Sequence, residues 1–183
     1  MTVKAINKLS IDEYEEYLRD LQRITPAVSA AFDKARKLKS EHEVIFYIAG
    51  GLTGLPDEVK NRYKVVSELI NAQNGMFGYA PHLHGTDPVA HPDVTPGEVR
   101  DIDNLFSAVI PDHLINFWHP IAHGNAVEEA WAELAGIPDI YLVPRDFTLS
   151  RLPRGMHNIE VVISYDHFQA DGMSQLRTYI SSL

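Results

Sequence analysis

The chain has 183 residues, 45% of them hydrophobic, which is enough for one domain whose core needs neither disulfide nor metal to hold it. There is no cysteine, no long apolar run from Met1 to Leu9, and nowhere the roughly 18 consecutive apolar residues that a membrane-spanning helix needs, so a cytoplasmic protein without membrane contact is expected. A net charge of −9 argues against a nucleic-acid polymer as partner, because a basic stripe is needed to neutralise a phosphate backbone; a small ligand is compatible.

Ser10-Ile11-Asp12-Glu13 reads as a capping box, followed by Ile11, Tyr14, Leu18, Leu21 and Ile24 at helical spacing. Thr25-Pro26 opens a second helix with Val28, Phe32, Ala35 and Leu38 on one face. Residues 1–42 are expected to form an N-terminal helical extension, and 43–183 an α/β domain. In the latter, Val44 to Ala49 is a short apolar run ended by Gly50-Gly51, as a buried parallel strand is. Pro56 starts a helix with Val59, Tyr63, Val66 and Leu69, and a second strand runs near Met76 to Ala80. Pro81 to Pro96, rich in Pro, Gly, Asp and His, reads as a loop.

Thr95-Pro96-Gly97-Glu98 is another capping box, opening a helix with Val99, Ile102, Leu105, Phe106 and Val109 inward. His113 to Trp118 is a third strand. Gly124-Asn125 starts the next helix, whose apolar positions are Val127, Ala130, Trp131 and Leu134 and whose stop is Gly136-Ile137-Pro138. Ile140 to Val143 and Asn158 to Tyr165 add strands, and Ser174 to Leu183 a closing helix. The alternation implies a Rossmann-like (flavodoxin-like) parallel sheet flanked by helices.

Open sheets of this kind bind ligands beyond the carboxyl ends of their strands, at the point where strand order reverses. The loops after the first and third strands are therefore the places to look. In the first, Gly50, Gly51 and Gly54 allow close backbone approach, although an ordinary tight turn has the same composition. In the second, Asn125 as N-cap would place Glu128 at the third helical position. There the helix dipole favours an ionised carboxylate, as a nucleophile requires, but Asn-x-x-Glu is also an ordinary capping box.

Tyr47-Ile48-Ala49-Gly50 at the end of the first strand, and Gly124-x-x-x-Glu128 leading into Ala135-Gly136-Ile137-Pro138, resemble the nucleoside 2-deoxyribosyltransferase superfamily. That superfamily includes deoxynucleoside 5′-monophosphate N-hydrolases and CMP N-hydrolases. The resemblance covers about Val44 to Arg145. It implies that Glu128 is the nucleophile at the anomeric carbon, that Tyr47 orients it, and that an aspartate on the preceding helix assists proton transfer. Asp101 and Asp103 compete for that last role. At about 100° per residue Asp103 lies beside Val99 and Phe106, whereas Asp101 points away, so Asp103 is preferred and expected to be partly buried.

The family pattern is not followed throughout. Many members have proline where Gly51 stands, and the residue six before the nucleophile, serine in monophosphate hydrolases and aspartate in transferases, is Ala122 here. Phosphate contacts then fall to His119, His123 or the amides around Thr53, with Gly50, Gly51, Gly124 and Asn125 completing the expected binding residues. His82, His84 and His91 fit no closed zinc pattern. Trp118 and Trp131 read as core.

The expected reaction is cleavage or transfer of the N-glycosidic bond of a nucleoside or its 5′-monophosphate through a glycosyl ester on Glu128, hydrolysis being favoured because the transferase aspartate is missing. No cofactor or metal is required. A homodimer or higher oligomer is expected, from the resemblance and from the apolar faces of the N-terminal helices. NAD glycohydrolysis and a non-catalytic nucleotide-binding module are the alternatives. Glu129, rotated by about 100° from Glu128, is given no role.

Overall fold

Ser10 opens the first helix as its sequence requires: its hydroxyl accepts from Glu13 N, and the Glu13 carboxylate accepts from Ser10 N at 2.7 Å. The computed structural model describes residues 8–51, 54–84, 91–118, 122–149, 155–165 and 173–183. Helix α1 (Ile11–Asp20) is shorter than the apolar spacing suggests, because the chain turns at Leu21, which is exposed. Helix α2 (Pro26–Glu41) is capped by Thr25 and buries Val28, Phe32, Ala35 and Leu38, the face expected. Those side chains share one core cluster with Tyr47, Tyr79 and Leu114 of the sheet, so α1 and α2 cover a sheet face.

Five strands form the sheet: β1 (Val44–Ala49), β2 (Met76–Tyr79), β3 (His113–Phe117), β4 (Asp139–Pro144) and β5 (Ile159–Tyr165). All pair in parallel in the order β2-β1-β3-β4-β5. Strand order therefore reverses between β1 and β3, and a crevice is expected beyond their carboxyl ends. Helices α3 (Asp57–Asn71) and α7 (Ser174–Ile180) pack one face through Tyr63, Val66, Ile70, Leu176 and Ile180. The opposite face carries α1, α2, α5 (Pro96–Asn104) and α6 (His123–Ala135).

Three local readings are corrected. Pro81–His84 is not loop but a single helical turn, α4. The expected continuous helix after Thr95 changes at Leu105–Val109 into one π-helical turn, with Ile110 N bonded to Leu105 O. The wider turn rotates Leu105, Phe106 and Val109 as a group into the core while Val99 stays half-exposed.

The third correction is α6. Its N-cap is Ala122, not Asn125, and Val127 (46% exposed) and Leu134 (49% exposed) face out while Asn125, Glu128, Glu129 and Ala132 face in. A helix with an inverted pattern has a polar inner face for a reason other than packing. Gly136 ends it in the left-handed region (φ 69°), as its position predicted. Among the described residues no helix is long and apolar enough to cross a membrane.

Candidate active site

Strand β1 passes through the core, and Tyr47, fully buried in it, points its phenol toward α6. Its hydroxyl donates to Glu128 Oε1 at 2.6 Å. Because α6 begins at His123, Glu128 is its sixth residue and not its third, one turn deeper than the capping-box reading placed it. The helix N-terminus therefore helps the carboxylate less, and the phenol is the group that holds its charge. Glu128 is almost completely buried.

Burial, followed by the neighbouring Asp103 charge, pushes the Glu128 carboxyl well above the usual carboxylate range, against the Tyr47 hydrogen bond, which pulls it down. Burial, then the Glu128 and Asp103 charges, pushes the Tyr47 phenol far up, so it stays a donor. Asp103 is half-buried, as its helical position predicted. Its charge also acts on Tyr79, whose ring lies 5.9 Å from that of Tyr47. Tyr47, Glu128, Asp103 and Tyr79 thus form one coupled group.

Asp101 does not point to solvent as the spacing suggested. It is 3% exposed and accepts from Arg23 Nε at 2.8 Å and Arg100 Nε at 3.0 Å, while Tyr14 donates to its backbone oxygen. The N-terminal segment supplies that environment, and a sequence reading that set α1 and α2 apart had no partner to assign it.

Gly50 and Gly51 follow β1 directly. A Cβ on Gly50 would lie 2.5 Å from the Tyr63 ring, and the Tyr63 hydroxyl donates to Gly51 O at 2.8 Å. The glycine is thus needed for the close approach of Tyr63, a partner not picked out from the sequence. His123 and Gly124 lie exposed in the first turn of α6. Asn125 is buried instead, its amide donating to Asn116 Oδ1 at 2.9 Å. Thr53 and His119 lie outside the described residues.

Behind Glu128 sits a polar group that sequence reasoning missed: Asn116, Asn125, Glu129 and Asp139 are all buried. Burial and then Glu133 raise Glu129 to about 7, and burial and then Glu129 raise Asp139 well above the carboxylate range. Glu129 is therefore no solvated bystander. Asn116 interrupting the apolar run Leu114-Ile115-Asn116-Phe117 was the available signal, since an amide in a central strand must be satisfied by another buried polar group.

The arrangement holds a buried carboxylate with one strong donor and a second, coupled carboxyl beside it. Such a pair has the parts of a nucleophile and a proton-transfer partner. The CMP N-glycosidase BcmB of Clostridium botulinum superposes with a TM-score of 0.54 at 18% identity, covering 74% of this chain and 98% of that one. This chain shares its fold. A conserved protein from Enterococcus faecalis V583 superposes with a TM-score of 0.50 at 16% identity, covering 76% and 98%. No family model matches the chain, and no curated protein is significantly similar to it in sequence.

Proposed function

We propose that the protein is an N-glycosidase acting on a nucleoside or nucleoside 5′-monophosphate, with Glu128 as nucleophile. The observation that carries this reading is the 2.6 Å hydrogen bond from Tyr47 to the buried Glu128 carboxylate on α6, which follows the β1/β3 reversal. The shared fold with an N-glycosidase supports it, as does the resemblance of both motifs to the nucleoside 2-deoxyribosyltransferase superfamily.

Ionised Glu128 attacks C1′ through an oxocarbenium-like transition state. The C1′–N bond breaks with its electron pair going to the base, and Asp103 in its acid form protonates the departing nitrogen. The product is a glycosyl ester on Glu128. Water, deprotonated by the Asp103 carboxylate, then attacks C1′, releasing the sugar and restoring both carboxyl groups. Hydrolysis is preferred to base exchange because Ala122 stands where transferases hold an aspartate.

A 5′-phosphate would lie at the amino end of α6. Among the described residues no side chain caps that helix at Ala122, which leaves its first turn suited to an anion, with His123 exposed beside it. Self-association belongs to the same proposal and rests on the resemblance, since the apolar faces of α1 and α2 are buried within the chain. Light scattering that returns the mass of one chain removes it.

The test is a panel of nucleosides and 5′-monophosphates, with CMP first, followed by chromatography for released base. Release of base from at least one member supports the reading. Saturable binding across the panel without release favours a nucleotide-binding module.

A further inference from the structure

A cavity of about 210 Å³ lies between α2, the end of β2 and α5, and neither Tyr47 nor Glu128 lines it. Its walls are mostly apolar: Ala27 and Ala31 from α2, Val94 before α5, and Ile102 and Phe106. Ala30 is exposed at its rim. Among the described lining residues Lys34 is the one lysine or arginine; it is half-buried, which lowers its pKa, and His84 and the exposed His91 line the cavity with it. No carboxylate lines the cavity among the described residues.

Lys34 Nζ donates to His84 O at 2.7 Å and stands 5.2 Å from the centre of the Tyr79 ring. An ammonium has three N–H donors. One is committed to His84, and the other two meet no hydrogen-bond acceptor among the described residues. His84 adds no second charge near neutral pH, because burial, then Lys34, lowers it to about 4.

Size and charge limit the occupant. An apolar cavity of about 150 Å³ holds benzene, whereas sites for larger organic molecules begin at about 300 Å³. A whole nucleotide is too large, and a small inorganic anion would leave the apolar walls unfilled. We propose that this cavity is a binding site for a single-ring aromatic carboxylate, its ring against Phe106 and Tyr79 and its carboxylate on Lys34 Nζ. The site requires no chemistry at Glu128.

Isothermal titration of the full-length protein with benzoate tests this, with benzamide and acetate as probes that lack the charge or the ring. Benzoate is expected to bind one per chain, at least about tenfold more tightly than either. Lys34→Met should weaken benzoate about tenfold or more while leaving benzamide unchanged, and Lys34→Arg should retain most of the binding. Ala30→Trp, at an exposed position, should block the cavity without loss of folded structure by circular dichroism. Absence of benzoate binding, equal affinity for benzamide, or full affinity in Lys34→Met overturns the proposal.

Discussion

Tyr47 and Glu128 are 81 residues apart in the chain, yet the phenol of one donates to the carboxylate of the other at 2.6 Å in a fully buried setting. This bond favours the ionised glutamate, while burial and Asp103 favour the protonated one. The reactive form is the carboxylate, which is lost as pH falls through the raised pKa. The acid limb of kcat/KM is therefore expected well above the pH of an ordinary glutamate. Tyr47→Phe removes that hydrogen bond and should move the limb about 1–2 pH units further up, the equivalent of a hydrogen bond to a charged group. A loss of activity with an unmoved pH profile would contradict this role.

Asp103 and Asp101, two residues apart on α5, should respond in opposite ways. Asp103→Asn is expected to lower turnover by about 10²-fold or more for substrates with poor leaving groups and to change its pH profile. Asp101→Asn breaks the buried contacts to Arg23 and Arg100, so about 1–3 kcal/mol of stability should be lost with the pH profile of turnover unchanged. Thermal melts and pH–rate profiles of the pair separate the two effects.

Gly50→Ala should destabilise the fold, because its Cβ would lie 2.5 Å from the Tyr63 ring, which is itself held in the core beside Phe117. Overpacking of this kind costs about 1–3 kcal/mol, or a drop of roughly 2–4 °C in Tm for each kcal/mol in a chain of this size. An unchanged Tm would mean that Tyr63 has room to move.

These cases show what the sequence made legible. Short continuous apolar runs and the 3.6-residue period marked the parallel strands and most helix faces, and the two short motifs pointed to Tyr47 and Glu128. What escaped were features that depend on distant partners. Asp101 is buried where α1 and the turn after it supply Tyr14 and Arg23, and Glu129 faces inward on the side of α6 that also carries Asn125 and Glu128, toward the buried Asn116 and Asp139. Local spacing fixed the relative angle of Asp101 and Asp103, and it could not say what covers each side. The capping-box pattern at Asn125 failed for a related reason: the Asn125 amide is bound to Asn116, nine residues earlier on β3.

Asp139 gives a stability prediction with a definite sign. Its folded pKa is raised, so the native state binds its proton more tightly than the unfolded chain, and stability falls as pH rises from the ordinary carboxylate range. Asp139→Asn keeps the shape and removes the charge. Its Tm relative to the parent chain should increase steadily between about pH 4 and pH 7. A pH-independent difference would show that Asp139 ionises in the folded protein as freely as in the unfolded one.

The central claim, that Glu128 carries N-glycosidic chemistry, is tested most directly by base release from the best panel substrate by the parent chain, Glu128→Gln and Glu133→Gln. Glu133 lies on the same helix, is not fully buried, and accepts from His157 N at 3.2 Å, so it serves as the control. Glu128→Gln is expected to keep its fold by circular dichroism and to lose at least about 10³-fold in kcat, while Glu133→Gln stays within a few-fold of the parent. Turnover by Glu128→Gln close to that of the parent chain would contradict both the nucleophile and the covalent mechanism.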